Sequence, residues 1–272
     1  EHYRTLGHGF ELPAEPAGLL LVSDRPIEPV PNATYLEGAE LRKAEPALAD
    51  GLVAYRIETG RPVPPAAAAH AFAARAREAG ARIEIGTAEL RADRLFVDGK
   101  PRDAGAVVVA AGPWSAELVG VPVSPLWGVV VDYALPRPPR HVLEQAGIDV
   151  LTGDQGIPDV LFSAVTARGI SAIGSTFMAE RPDPDAIASR IGANATRFLP
   201  ALADAKPRGL RACARPIAAD GRPYLGRLRG NLWVATGHGA WGITHGPASA
   251  RLVADQILGR PAEIPPEFAA LR

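Results

Sequence analysis

Apolar and polar positions alternate along this chain in three rhythms, and each predicts a different element. Short apolar runs at residues 18–22 (GLLLV), 106–111 (AVVVAA) and 232–235 (LWVA) have the length of buried strands. Alternation at period two over residues 81–86 (ARIEIG) predicts another strand, and Asp98-Gly99 after residues 94–97 predicts a hairpin. Helical spacing covers residues 35–46, 60–80, 184–198 and 247–259. The first of these ends at Glu45, because a residue before proline is pushed out of the helical region. The second has Pro64-Pro65 in its first turn, Phe72 and Ala76 one turn apart, and Gly80 as its cap. The third carries Ile187, Ile191 and Phe198. In the last, Pro247 opens the helix, Gly259 closes it, and Leu252, Val253 and Ile257 form the apolar face.

The order of these elements predicts an α/β chain of two interleaved parts. Helix, strand, β-excursion and apolar strand over residues 60–120 suit a parallel sheet with an inserted β-meander. Strands at 126–135, 160–165 and 170–176, with the helix at 184–198 set apart, suit an antiparallel sheet with helices on one face. The expected division is 1–59 and 121–214 for the antiparallel-sheet domain, 60–120 and 215–260 for the parallel-sheet domain, and 261–272 for a tail.

Composition narrows the function classes. The chain has 272 residues, 47% of them apolar, and 29 basic against 30 acidic residues leave a net charge of −1. No overall field favours nucleic acid or an anionic membrane, so a small molecule is the expected partner. No apolar run approaches the roughly 20 residues that span a bilayer. A single cysteine, Cys213, excludes an internal disulfide and suits a reducing cytoplasm. His238 and His245 flank one loop seven residues apart, but no third ligand accompanies them, and no metal is expected.

The densest chemistry lies at residues 231–259. A strand runs into four glycines (Gly237, Gly239, Gly242 and Gly246) and then into a helix. Such a turn lets backbone N–H groups approach a ligand, with the positive end of the helix dipole aimed at negative charge. Upstream stand Arg215-Pro216 and the run DGRPYLG at 220–226, and far upstream VVVAAGPWS at 107–115. Together these resemble the signature of the FAD-dependent D-amino-acid oxidase and glycine oxidase family.

The resemblance implies a Rossmann-like FAD-binding domain with an inserted β-meander, interleaved with an antiparallel-sheet substrate domain. It implies FAD contacts from Ala111, Gly112 and Trp114, and from Gly237, His238, Gly239, Ala240, Trp241, Gly242, Ile243 and Thr244. It also implies that Arg215 pairs with a substrate carboxylate and that Tyr224, beside Pro223 in a turn, is a second catalytic residue, an ordinary packed aromatic being the alternative for the tyrosine. The implied reaction oxidises glycine, a D-amino acid or a sarcosine-like secondary amine to an imine, with oxygen or another acceptor regenerating the flavin. A 2-hydroxy acid oxidase or dehydrogenase is an alternative. In the sarcosine oxidase branch a cysteine at the distance of Cys213 from the DG turn is linked to the flavin, whereas a lone cysteine is otherwise a small buried side chain.

One part of the family pattern is missing. Flavin enzymes of this class bind the pyrophosphate with G-x-G-x-x-G in a first βαβ unit. Here Gly7-His8-Gly9 has no strand before it, and GHGAWG at 237–242 spells the motif near the wrong end of the chain. The expectation is an N-terminally truncated chain, with the missing unit removed or supplied by a partner chain. A non-catalytic or substrate-binding subunit is therefore a second reading, and a homo-oligomer is also open.

Overall fold

A computed structural model describes residues 2–146 and 160–272. The elements run β1 (Leu19–Ser23), β2 (Thr34–Glu37), α1 (Gly38–Ala44), β3 (Val53–Ile57), α2 (Pro65–Glu78), β4 (Ala88–Arg91), β5 (Arg94–Val97), β6 (Lys100–Arg102), β7 (Val107–Val109), α3 (Ser115–Val119) and β8 (Val123–Tyr133). They continue with β9 (Val142–Gln145), β10 (Val160–Ala167), β11 (Ile170–Thr176), α4 (Pro184–Thr196), β12 (Pro207–Ala218), β13 (Tyr224–Arg229), β14 (Leu232–Thr236) and α5 (Gly242–Ile257). Two compact units share them. One comprises Glu1–Phe10, Pro65–Leu126 and Ala214–Arg272; the other comprises Glu11–Pro64 and Trp127–Cys213.

The second unit holds an eight-stranded sheet ordered β12-β8-β11-β10-β9-β1-β3-β2. Its neighbours β2 and β3, β3 and β1, β9 and β10, β10 and β11, and β11 and β8 are antiparallel, whereas β1 and β9 run parallel. Side chains alternate across a strand, so Leu20 and Val22, Val129 and Val131, and Leu143 all face one core. Helix α4 covers them with Ile187 and Ile191. Beyond it Phe198 stacks on Phe162 of β10, ring centroids 4.4 Å apart. The Asp183 side chain accepts a hydrogen bond from the Asp185 N–H and caps this helix. Tyr133 belongs to the same core, and burial pushes its hydroxyl pKa up.

Glu45 is fully buried just where α1 stops. Its Oε2 accepts from the backbone N–H groups of Arg140 at 2.7 Å and His141 at 3.0 Å, and lies 2.9 Å from His141 Nδ1. A buried carboxylate requires such donors. They fix the end of α1 against the entry to β9.

The other unit contains two small sheets. One is the meander β4-β5-β6, whose last turn has Asp98 and Gly99 at φ 49° and 72°, the left-handed pair that a two-residue hairpin needs. The other is β13-β14-β7, with β13 and β14 antiparallel and β14 and β7 parallel. Its core is Val109, Tyr224, Leu228, Leu232 and Val234.

Four expectations change. Residues 81–86 form no strand: Ile83 and Ile85 are exposed, Ile85 at 96%, and alternation without a pairing partner does not make a sheet. The segment read as one helix from residue 35 is first a strand, because Tyr35 pairs with Tyr55 of β3, and the helix begins only at Gly38. The apolar run 106–111 yields only three strand residues, and it is an edge strand with Val108 43% exposed rather than a buried one. Helix α5 starts at Gly242, before Pro247. Proline has no N–H to give Ile243, four residues back, and the Tyr3 hydroxyl donates to that carbonyl instead at 2.6 Å.

Candidate functional site

Strands β7 and β14 lie side by side and parallel, Leu232 against Val107 and Val234 against Val109. Their C-terminal ends therefore open on the same edge, the edge where parallel sheets of α/β proteins bind ligands. From β7 the chain turns through Ala111 and the 3₁₀ turn Gly112–Trp114; from β14 it turns through Gly237, His238 and the 3₁₀ turn Gly239–Trp241. The buried Thr236 hydroxyl donates to the Gly112 carbonyl at 2.8 Å and joins the two turns.

Glycine is needed here for stated reasons. Gly112, Gly237 and Gly239 have φ of 59°, 84° and 54°, in the left-handed region that costs other residues roughly 1–2 kcal/mol. A Cβ on Gly237 would lie 3.3 Å from Pro223 Cα and 3.4 Å from Tyr224 N, so the turn rests directly on that backbone. In front of Gly112 and Gly239 a Cβ would meet nothing within 4 Å, which leaves room for a group to approach the chain.

The second turn feeds the 16-residue helix α5, whose N-cap residue Trp241 makes no side-chain cap hydrogen bond. Gly242, Ile243 and Thr244 in its first turn are exposed. Uncapped N–H groups at the positive end of the helix dipole suit a negative or electron-rich ligand. The Trp241 and His245 rings stack at 6.0 Å, and the exposed Ala240 lies between Gly239 and Trp241. Inside the turn His238 Nε2 lies 2.9 Å from the buried Ser249 hydroxyl. Burial, and then the charge of His245, push the His238 pKa down, so its imidazole is neutral at neutral pH.

The backbone of His238 also bridges Ile217 of β12, which brings Arg215, two residues earlier and half-buried, into the same neighbourhood. Tyr224 sits differently: it is a core residue at 7% exposure, with the Arg272 guanidinium 3.6 Å over its ring centroid. Trp114 is exposed. Ser115, just after it, is fully buried, and its hydroxyl has no hydrogen-bond partner among the described residues. Cys213 is an exposed, free thiol. Sequence reasoning passed over Thr236 and Arg272; Thr236 reads as the first residue of the glycine-rich turn until β7 is seen beside it.

These residues fit FAD as far as they go. The glycine turns have open space before them and the helix N-terminus is uncapped; GHGAWG lies between a strand and a helix, as a dinucleotide turn does. No further strand follows α5 among the described residues.

The chain is 35% identical over 172 residues to glycine oxidase from Pseudomonas aeruginosa, a match that takes in 59% of this chain and 43% of that protein's length. Among solved structures, glycine oxidase from Geobacillus kaustophilus superposes with a TM-score of 0.80 at 25% identity, covering 96% of this chain and 75% of that one. Iminodiacetate oxidase from Chelativorans sp. BNC1 shares the fold with a TM-score of 0.78 at 23% identity, covering 96% and 78%. The family model described as FAD dependent oxidoreductase matches residues 11–256, from before β1 to the end of α5, so the chain that carries these two glycine turns is a member of the FAD-dependent oxidoreductase family.

Proposed function

We propose that this chain is the greater part of an enzyme that oxidises a small amino acid or secondary amine, such as glycine, a D-amino acid or a sarcosine-like compound, to its imine. The observation that carries the reading is the Thr236–Gly112 hydrogen bond, which joins two glycine turns at one edge of the parallel strands, beside an uncapped helix. Likeness to two glycine oxidases supports an amine that carries a carboxylate. Bound at this edge, FAD supplies the hydride acceptor, and oxygen or another acceptor regenerates it.

The chain supplies binding and orientation. Arg215 holds the substrate carboxylate, since its planar fork of donors matches two oxygens and stays charged when half-buried. Backbone N–H groups at Gly239, Ala240, Gly242 and Ile243 would hold the electron-rich ring and stabilise negative charge on it, while the Trp241 N–H donates to the His238 carbonyl and shapes the turn. Neutral His238 adds no competing charge. An amine that loses its ammonium proton to water before it binds would give up only a hydride from carbon, and the iminium would pass its remaining proton to water, so no acid–base pair of the protein is required. Ala111, Gly112 and Trp114 line the other turn, and Thr244 ends the contact along α5. On this reading the unit of Glu1–Phe10, Pro65–Leu126 and Ala214–Arg272 is the FAD-binding domain and the unit of Glu11–Pro64 and Trp127–Cys213 the substrate domain, which moves residues 1–10, 121–126 and 261–272 from the division expected of the sequence. Reduced Cys213 suits a cytoplasmic enzyme.

The exposed outer edge of β7 favours a second reading, in which a partner chain completes the FAD site. Mass spectrometry beside a flavin spectrum separates the two: stoichiometric FAD on this chain, with no companion polypeptide, eliminates the partner. Anaerobic bleaching of the bound flavin by a panel of amino acids, N-methyl amino acids and 2-hydroxy acids identifies the substrate class. Bleaching by hydroxy acids alone would overturn the amine assignment.

A further inference from the structure

Arg272 follows α5 and folds back onto the turn at residues 220–224. Its guanidinium has five N–H donors, and all five are engaged. Nε donates to Asp220 Oδ2 at 2.9 Å; Nη2 donates to Asp220 Oδ1 at 3.0 Å and to the Arg222 carbonyl at 2.7 Å. Nη1 donates to the carbonyls of Pro223 at 2.9 Å and Ala269 at 3.3 Å. The face of the same group covers the Tyr224 ring. Only 15% of the side chain is exposed. An ordinary surface ion pair joins two flexible side chains, whereas this one pins three backbone carbonyls.

The pinned backbone is the one on which the second glycine turn rests. Pro223 and Tyr224 lie directly against Gly237, and Tyr224 pairs with Thr236, which in turn bonds to Gly112. We propose that Arg272 is a positioning residue for the glycine turn at residues 237–242: it fixes the floor at residues 220–224 and so holds the turn in a preformed, ligand-ready shape. That this ligand is a flavin rests on the function proposed above. The rest of the segment stays docked without the guanidinium, because Ala269 bridges Leu225 and Ala270 is buried in the core. The effect is therefore local. The hydrogen bond from Arg272 is also the largest cause of the lowered Asp220 pKa.

Amide hydrogen exchange on the purified protein and on the Arg272→Ala and Arg272→Lys variants tests this. Lysine keeps the charge but lacks the planar fork, so it should not rescue. The expected result is at least about tenfold faster exchange at residues 237–244 in both variants, with rates in β10 and β11 unchanged. Unchanged exchange at 237–244, full rescue by lysine, or equal acceleration in β10 and β11 would overturn the proposal. FAD titration of the same variants reports separately on the ligand. Weaker binding in step with the faster exchange supports the flavin reading; unchanged binding overturns that reading and leaves the positioning role standing.

Discussion

The eight-stranded sheet and the β13-β14-β7 sheet face opposite problems. In the first, each of the six inner strands is paired on both sides, and α4 seals the core face. In the second, only β14 has neighbours on both sides, and β7 leaves Val108 exposed on an open edge. The large sheet holds itself together by burial. The small one has a smaller buried core and is tied further by specific polar devices: the Thr236–Gly112 hydrogen bond, the His238–Ser249 contact and the Arg272 clamp. The difference suggests a division of labour in which the self-sufficient sheet is scaffold and the dependent one is shaped around what it binds.

The largest effect expected is in the scaffold. Phe162→Ala removes a fully buried ring stacked on Phe198 and should cost about 3–5 kcal/mol in denaturant unfolding. Flavin affinity, measured where the variant remains folded, should stay within about twofold if the two sheets are independent. A large loss of affinity would break the comparison.

Next comes Arg215→Ala. It should lower kcat/KM for the best amine by roughly 2–4 kcal/mol, mostly through KM, while the unfolding midpoint stays near that of the parent. Unchanged kcat/KM would remove Arg215 from the substrate site.

Thr236→Val keeps the shape of the side chain and removes the bond between the turns. The half-buried Gly112 carbonyl loses one of two donors and keeps the Ser115 N–H, which costs about 0.5–1.5 kcal/mol. Differential scanning calorimetry would read the loss as stability. The same variant should weaken flavin binding, and intact binding would mean that the turns are aligned by something else.

What could be read in the sequence divides along the same line. Strand β11 was legible because its short apolar run pairs with the run just before it, across a turn of two residues, Arg168 and Gly169, that the structure places at positive φ. Helix α4 was legible because Ile187, Ile191 and Phe198 keep helical spacing after Pro184, and the structure adds the Asp183 cap. Residues 81–86 misled, since alternation announces a strand without saying what it pairs with. Residues 35–37 misled for the converse reason: Tyr35 has its partner in Tyr55, across the sheet and far along the chain. In the candidate site, the two glycine turns were visible as motifs. The bond joining them was not, because it links residues 124 apart. Arg272 carried no motif at all, and its role depends on three carbonyls that the fold brings together.

The smallest effect expected concerns pH, and it sharpens the comparison by separating the small sheet from the large one. His238 is neutral in the folded chain because burial, and secondarily the charge of His245, lower its pKa below the ordinary histidine value. The unfolded chain, with its higher histidine pKa of about 6.5, binds the proton first as pH falls. Stability from this group is therefore fully present above the unfolded value and is lost as pH falls toward the folded one. A second group in the same unit adds to the trend at lower pH: Asp220, whose lowered pKa means that acid removes its pairing with Arg272. The histidine window lies above the carboxylate window, so the two can be told apart. Thermal unfolding at pH 7.5 and 5.5 should show a drop in midpoint that His238→Gln abolishes, since the glutamine amide reaches the position of Nε2 beside Ser249 but does not titrate. Amide exchange at the two pH values, corrected for intrinsic rates, should locate the loosening in β13, β14 and the turn at residues 237–242. An equal pH response in β10 and β11, or one that survives in His238→Gln, would show that the histidine is not its source.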